Sequence, residues 1–222
     1  MDKIIKRNEH FQLHANTSRN RWIVFDVEGV LVDGEYLVGL ANLVGLGKVI
    51  DEITRQGLSG EVNWDEGLIM RLKILNGKIN KKMAEEVAWD LPLMKGAKET
   101  CAKLKELGFN IAAVTGGFQF LADRVKKELE LDIVISNKLF FDSQERISGI
   151  LFEVSSDKAA ALMRYINKRI VDIAVVDGAN DLTLFNIAKT KIAFNAAPIV
   201  ELKADISIKE KDLSKIFEYL KF

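Results

Sequence analysis

Trp22, Ile23, Val24 and Phe25 form an apolar run without polar alternation, the pattern of a strand buried on both faces of a parallel sheet. The pattern then turns helical from about Tyr36 to Trp89, interrupted by GLSGEVN and NGKIN, which predicts three helices with no strand among them. Pro92 closes that block, and GAKETCAKLKELG predicts a helix ending at Gly108. From there strands and helices alternate. NIAAVT reads as a strand, FQFLADRVKKELE as a helix, DIVIS as a strand, and KLFFDSQERISGILFE as a hairpin around a polar turn. SSDKAAALMRYINK predicts a helix capped by Ser155 or Ser156. VDIAVVD, KIAFN and DISI are the remaining strands, with helices from about Asn180 and at the end of the chain. This alternation predicts an α/β fold, a Rossmann-like parallel sheet with helices on both faces. The helical block is then a small cap inserted after the first strand. The expected division is an arm over 1–21, a core over 22–35 and 93–222, and the cap over 36–92.

Composition narrows the class. The 222 residues are 48% hydrophobic and 29% charged, enough apolar content for a sizeable core. Lys and Arg together number 32, matched by 32 Asp and Glu, so no general field draws the chain to nucleic acid or to a membrane. Neither a membrane span nor a secretory leader is legible, and a cytoplasmic location is expected. Cys101 is the sole cysteine, which excludes internal disulfides, and on the Ala97, Cys101, Leu104 face of its helix it reads as core filling. His10 and His14 are the only histidines, both on the arm. HFQLH lacks the glutamate of the zinc-protease pattern, and a histidine-based triad in the body of the protein is excluded.

Chemistry concentrates at three strand ends. Asp26 and Glu28 follow the first strand at i and i+2, which places both carboxylates on one face as the strand frays toward Gly29. Such a pair is either solvated or neutralised by a cation or shared proton, and the buried strand before it favours neutralisation. Thr115, Gly116 and Gly117 end a second strand. A hydroxyl and two unhindered N–H groups at a helix N-terminus suit a phosphate, although Thr-Gly-Gly is also an ordinary turn. Asp177 ends a third strand, with Asn180 and Asp181 just beyond; singly these read as an Asp-Gly turn and a helix cap. Together, carboxylates from two strands and a phosphate cradle from a third suit Mg²⁺. Lys158, at the start of a helix, supplies a cation if its ammonium turns inward rather than to solvent.

FDVEGVLV, VTGGF, Lys158 and VVDGANDLTLF, in this order and with the closing segment KIAFNAAPIVELKADISI, resemble the four motifs of the haloacid dehalogenase-like phosphatase superfamily. Within it they are most similar to the phosphoserine phosphatases, from about Trp22 to the end. Most members carry Asp where this chain has Glu28, and commonly Ser or Thr at Gly29 and Val30; Thr115 stands for the commoner Ser. A Glu at that position resembles a smaller branch that includes a phosphoserine:homoserine phosphotransferase.

The resemblance implies an Mg²⁺-dependent phosphomonoester hydrolase, with O-phosphoserine the expected substrate and serine biosynthesis the expected setting. It makes Asp26 the nucleophile, Glu28 the acid and base, and Lys158, Thr115, Gly116, Gly117 and Asn180 the groups that hold the phosphoryl oxygens. Asp26, the Glu28 carbonyl, Asp177 and Asp181 would hold the metal. Glu35 and Arg71 match positions that bind the substrate ammonium and carboxylate; without the resemblance they read as surface charges. Transfer to homoserine, hydrolysis of another small phosphorylated metabolite, and a catalytically silent binding protein are the alternatives. The expected partner is a small phosphorylated metabolite, with no nucleic acid and no membrane, and a homodimer is the one assembly left open.

Overall fold

The computed structural model of the protein describes residues 21–167 and 169–220, so the arm carrying His10 and His14 lies outside the described residues. The first apolar run is β1, Arg21–Phe25, which pairs in parallel with β2 (Phe109–Phe118) on one side and β5 (Val171–Val176) on the other. Seven strands run in the order β4-β3-β2-β1-β5-β6-β7, where β3 is Ile133–Phe141, β4 Ile147–Leu151, β6 Ala188–Phe194 and β7 Ile206–Ile208. Only the β3–β4 pair, the expected hairpin, is antiparallel. The chain moves outward from β1 through β2 and β3 on one side and continues from β5 through β6 to β7 on the other. Strand order therefore reverses beside β1, and open α/β sheets bind ligands at the carboxyl ends of the strands at such a reversal.

Alternate residues of β1 feed two apolar layers. Ile23 and Phe25 join Cys101 and Leu104 of α5 (Ala97–Glu106) and Leu121 and Val125 of α6 (Gln119–Glu128). Trp22 and Val24 face Ala161 and Leu162 of α7 (Lys158–Met163) and Leu184 of α8 (Leu182–Phe185). Two short helices, α9 (Pro198–Glu201) and α10 (Ile216–Tyr219), complete the fold. Burial pushes the Cys101 thiol up to about 12, so it remains a thiol and fills the core. No helix of the described residues is long and apolar enough to cross a membrane.

Between β1 and α5 stand four helices rather than the expected three: α1 (Tyr36–Leu43), α2 (Gly47–Ser59), α3 (Trp64–Leu75) and α4 (Lys81–Asp90). The first predicted helix breaks at Gly45, whose φ of 73° is left-handed and open to glycine without a Cβ clash. Asn63 caps α3 by accepting from the N–H groups of Asp65 and Glu66, and Asn80 caps α4 by accepting from Met83. Tyr36, Leu40, Leu68 and Leu75 extend the first apolar layer into this block. The other corrections lie near α7, which spans six residues and is capped by Asp157 in place of either serine. Just past the helix, the Tyr165 hydroxyl donates to Glu153 Oε2 at 3.3 Å.

Candidate active site

The Asp26 N–H donates to Val175 O at 3.1 Å, one residue beyond β1, which fixes the aspartate at the end of the sheet. The chain then leaves the strand, and Asp26 and Glu28 both line the same small cavity. Leu31 and Val32 both donate back to Val27 O, closing a tight loop around Gly29. Gly29 has a φ of 79°, and a Cβ there would come 2.0 Å from Asp177 Oδ2. A side chain at this position is thus disfavoured twice, because the backbone conformation strains it and the Asp177 carboxylate would have to shift. Glu28 is held between β2 and α1, its Oε1 accepting from Tyr36 N at 2.9 Å and its Oε2 from Thr115 Oγ1 at 3.0 Å.

Lys158 points inward. Its ammonium lies 2.6 Å from Asp26 Oδ1 and also contacts Asp181 Oδ1, with all three residues buried. Burial alone lowers the lysine's pKa, but Asp181 and Asp26 reverse that and hold it above the ordinary value. Burial and the charge of Asp181 push Asp26 up to about 7 against the pull of Lys158. Asp177 rises well above the carboxylate range, from burial and then from Asp26 and Asp181. Oxygens of Asp26, Asp177 and Asp181 lie within 4.8 Å of one another, and Asp177 Oδ1 is buried with no partner among the described residues. Three acids facing one lysine, with an unpaired carboxylate oxygen, fit a divalent cation held by hard oxygen ligands.

Thr115, Gly116 and Gly117 lie immediately before the N-terminus of α6, whose N-cap is Phe118, as expected. β2 continues through them to Phe118, with a register irregularity against β3 between Val114 and Phe118. The Gly117 N–H is taken by Thr115 Oγ1 at 2.8 Å, so this amide is engaged within the strand end. Asn180 donates through Nδ2 to Asp181 Oδ1 at 2.9 Å, while its buried Oδ1 has no partner among the described residues.

These groups meet in one small cavity of about 10 Å³, roughly the space one water molecule requires. Asp26, Glu28, Thr115 and Gly116 at the strand ends, with Lys158 of α7 and Asn180 beyond β5, line one side, and Glu35, Leu58 and Trp64 close it from the side of the helical block. Glu35 is half-buried by surface area, but its carboxylate is enclosed. That burial and the charges of Glu28 and Asp26 raise its pKa well above normal, against Arg71 and Lys158. Arg71 is not part of the cavity wall. Its guanidinium stacks 4.5 Å from the Trp64 ring centre and donates to Gly67 O at 3.1 Å and Thr54 Oγ1 at 3.0 Å.

Two residues of the site escape the sequence reading. Asn137 in β3 is wholly buried, donates to Gly116 O at 3.0 Å and accepts from the N–H groups of Glu153 and Val154. A lone amide in an apolar strand was the available signal. Trp64 opens α3 and gave no signal, since an aromatic at a helix start reads as core.

Residues 21–189 match the family described as haloacid dehalogenase-like hydrolase. The phosphoserine phosphatase of Methanocaldococcus jannaschii is 32% identical over 209 residues, covering 91% of this chain and 99% of that one. That of Wolinella succinogenes is 34% identical over 203 residues, covering 89% and 98%. Among solved structures, a phospho-aspartyl intermediate analogue of phosphoserine phosphatase superposes with a TM-score of 0.83 at 30% identity, covering 92% of this chain and all 100% of the other. A substrate-bound phosphoserine phosphatase complex gives 0.84 at 29% identity, covering 90% and 98%.

Proposed function

Because this chain belongs to the haloacid dehalogenase-like hydrolases, we propose that it is an Mg²⁺-dependent phosphatase that converts O-phosphoserine to serine and phosphate. The observation that carries the reading is the convergence of Asp26, Asp177 and Asp181, with oxygens within 4.8 Å of one another, on Lys158, which pairs with Asp26 and Asp181. Similar proteins are named phosphoserine phosphatases along nearly their whole length.

Asp26 attacks phosphorus through a carboxylate oxygen, and the bond from phosphorus to the serine oxygen breaks. Glu28, anchored by Tyr36 and Thr115, gives its proton to the leaving serine oxygen. It then takes a proton from the water that attacks phosphorus, and the bond from phosphorus to Asp26 breaks. Lys158, Thr115 and Gly116 surround the transferring group, with Gly117 and Asn180 supporting that cradle, and charge placed there in advance lowers the barrier. Mg²⁺ held by Asp26, Asp177, Asp181 and the Glu28 carbonyl would neutralise phosphoryl charge. Glu35 would take the substrate ammonium and Arg71 the carboxylate.

The helical block, residues 36–92, serves as the lid. The cavity has no room for phosphoserine, so substrate admission requires the lid to move, and its return excludes water. Asp65 Oδ2 at the head of α3 accepts from Ser156 N at 3.2 Å, just before Lys158, and acts as a latch across the seam. A cytoplasmic setting completes the proposal.

Phosphate release from a panel of small phosphomonoesters, with Mg²⁺ and with chelator, tests this reading. Phosphoserine should be turned over fastest and only with metal. Inclusion of homoserine distinguishes hydrolysis from transfer, because transfer yields phosphohomoserine.

A further inference from the structure

The indole of Trp64 carries a donor with nothing to donate to. Trp64 is 8% exposed, and its Nε1 is buried without a hydrogen-bond partner among the described residues. An indole N–H can only donate, and leaving a buried donor unpaired is unfavourable. Such a group persists where something outside the protein satisfies it.

Its direction is defined by close neighbours. A Cβ on Gly116 would fall 2.2 Å from Trp64 Nε1, so the N–H edge lies directly over the strand end that carries Thr115 and Gly116. A Cβ on Gly57 would meet the opposite edge of the ring at 2.9 Å, and the Arg71 guanidinium covers one face at 4.5 Å. The Asn63 cap and the Asp65–Ser156 hydrogen bond fix the helix turn from which the ring projects. Asn137 in turn holds the Gly116 carbonyl from below. Glycine at 116 is therefore required by the approach of an indole rather than by backbone conformation, and the ring has little freedom to turn its N–H elsewhere.

The cavity that Trp64 lines also contains Asp26, Lys158, Thr115 and Gly116. Resting on the phosphatase reading above, we infer that the Trp64 indole N–H donates to a phosphoryl oxygen of the bound substrate, making the lid itself part of the phosphate site. The acceptor must be rich in lone pairs and must arrive with the ligand; a phosphoryl group seated between Asp26 and Gly116 meets both requirements. The donor reaches it only with α3 in the closed position, so lid closure and recognition of the transferring group become one event.

Three tryptophans, Trp22, Trp64 and Trp89, give a three-signal indole N–H spectrum, and Trp64→Phe assigns the Trp64 signal while keeping an aromatic ring against Arg71. Inorganic phosphate added to the Mg²⁺-loaded wild-type protein should move that signal downfield, and L-serine alone should not. In turnover, Trp64→Phe should lower kcat/KM about tenfold or more for both phosphoserine and p-nitrophenyl phosphate, as expected for a lost hydrogen bond to a charged group. An indole signal unmoved while phosphate inhibits turnover, a shift produced by L-serine instead, or unchanged kinetics in Trp64→Phe overturns the inference and leaves the phosphatase reading standing. A wild-type protein that neither binds phosphate nor hydrolyses any phosphomonoester overturns both.

Discussion

Lys158 Nζ donates to Asp26 Oδ1 at 2.6 Å, with both side chains almost wholly shut off from solvent. The same ammonium contacts Asp181, so one cation serves a cluster of three acids. Removing one member of a buried ion pair costs about 3–5 kcal/mol, and each kcal/mol shifts Tm by about 2–4 °C in a chain of this size. Lys158→Met should therefore lower the Tm of the chelated protein by roughly 10 °C. It should also cut kcat by about a hundredfold or more, since charge over the transferring phosphoryl is lost. Mg²⁺ should restore much of the Tm and little of the activity. A chelated variant as stable as wild type would show that the pair contributes nothing.

The acid cluster sets a pH dependence of unusual sign. Asp26 is raised from 3.8 to about 7 by burial and by Asp181, and Asp177 and Glu35 are raised as well. The folded state then keeps a proton that the unfolded chain releases. This contribution is fully present below about pH 4 and is lost as pH rises through about 7. The raised pKa of Lys158 lies far above this window and does not offset it. Calorimetry with chelator should show Tm falling from pH 5 to pH 8, with a flatter profile in Asp26→Asn. Parallel profiles for the two proteins would contradict the assignment to Asp26.

Glu28 is one methylene longer than an aspartate, and its two oxygens accept hydrogen bonds from Tyr36 N and Thr115 Oγ1. As the acid, it matters most for a leaving group that departs poorly without a proton. Single-turnover phosphorylation of Glu28→Gln should fail with phosphoserine and persist largely with p-nitrophenyl phosphate. Equal damage to both substrates removes the role.

How far the sequence discloses this site depends on the kind of information each residue carries. Asp26, Thr115 and Asp177 were legible because each ends an unbroken apolar strand, and a parallel sheet brings such ends together without further detail. The break at Gly45 was not, since a helical period survives a short interruption. The contacts of Gly116 with Asn137 and Trp64 come from residues distant in sequence. The close approach of Asp177 Oδ2 to Gly29 exists only after folding, so no local pattern announces it. The stacking of Arg71 behind Trp64 has no trace in the local pattern of residues.

Arg71 and Glu35 bear on substrate choice. Arg71 stands behind the wall formed by Trp64, within electrostatic reach of Glu35 and Glu28. If it binds the substrate carboxylate once the lid adjusts, Arg71→Ala should lower kcat/KM for phosphoserine by about tenfold to a hundredfold and scarcely alter p-nitrophenyl phosphate. Glu35→Gln should show the same selectivity through loss of the ammonium contact. Steady-state kinetics on both esters check this, and equal handling of phosphoserine by wild type and Arg71→Ala makes the arginine a structural support of Trp64.

Covalent catalysis at Asp26 on phosphoserine is the central claim, and trapping the intermediate tests it most directly. Borohydride reduces an acyl phosphate to the alcohol and leaves a free carboxylate intact. Wild-type protein quenched with borohydride during turnover of phosphoserine with Mg²⁺ should carry a reduced side chain at Asp26 in its peptide mass spectrum. The label should be absent when phosphoserine is omitted and absent in Asp26→Asn. Rapid hydrolysis of phosphoserine with no reduction at Asp26, or sustained turnover by Asp26→Asn, contradicts the account.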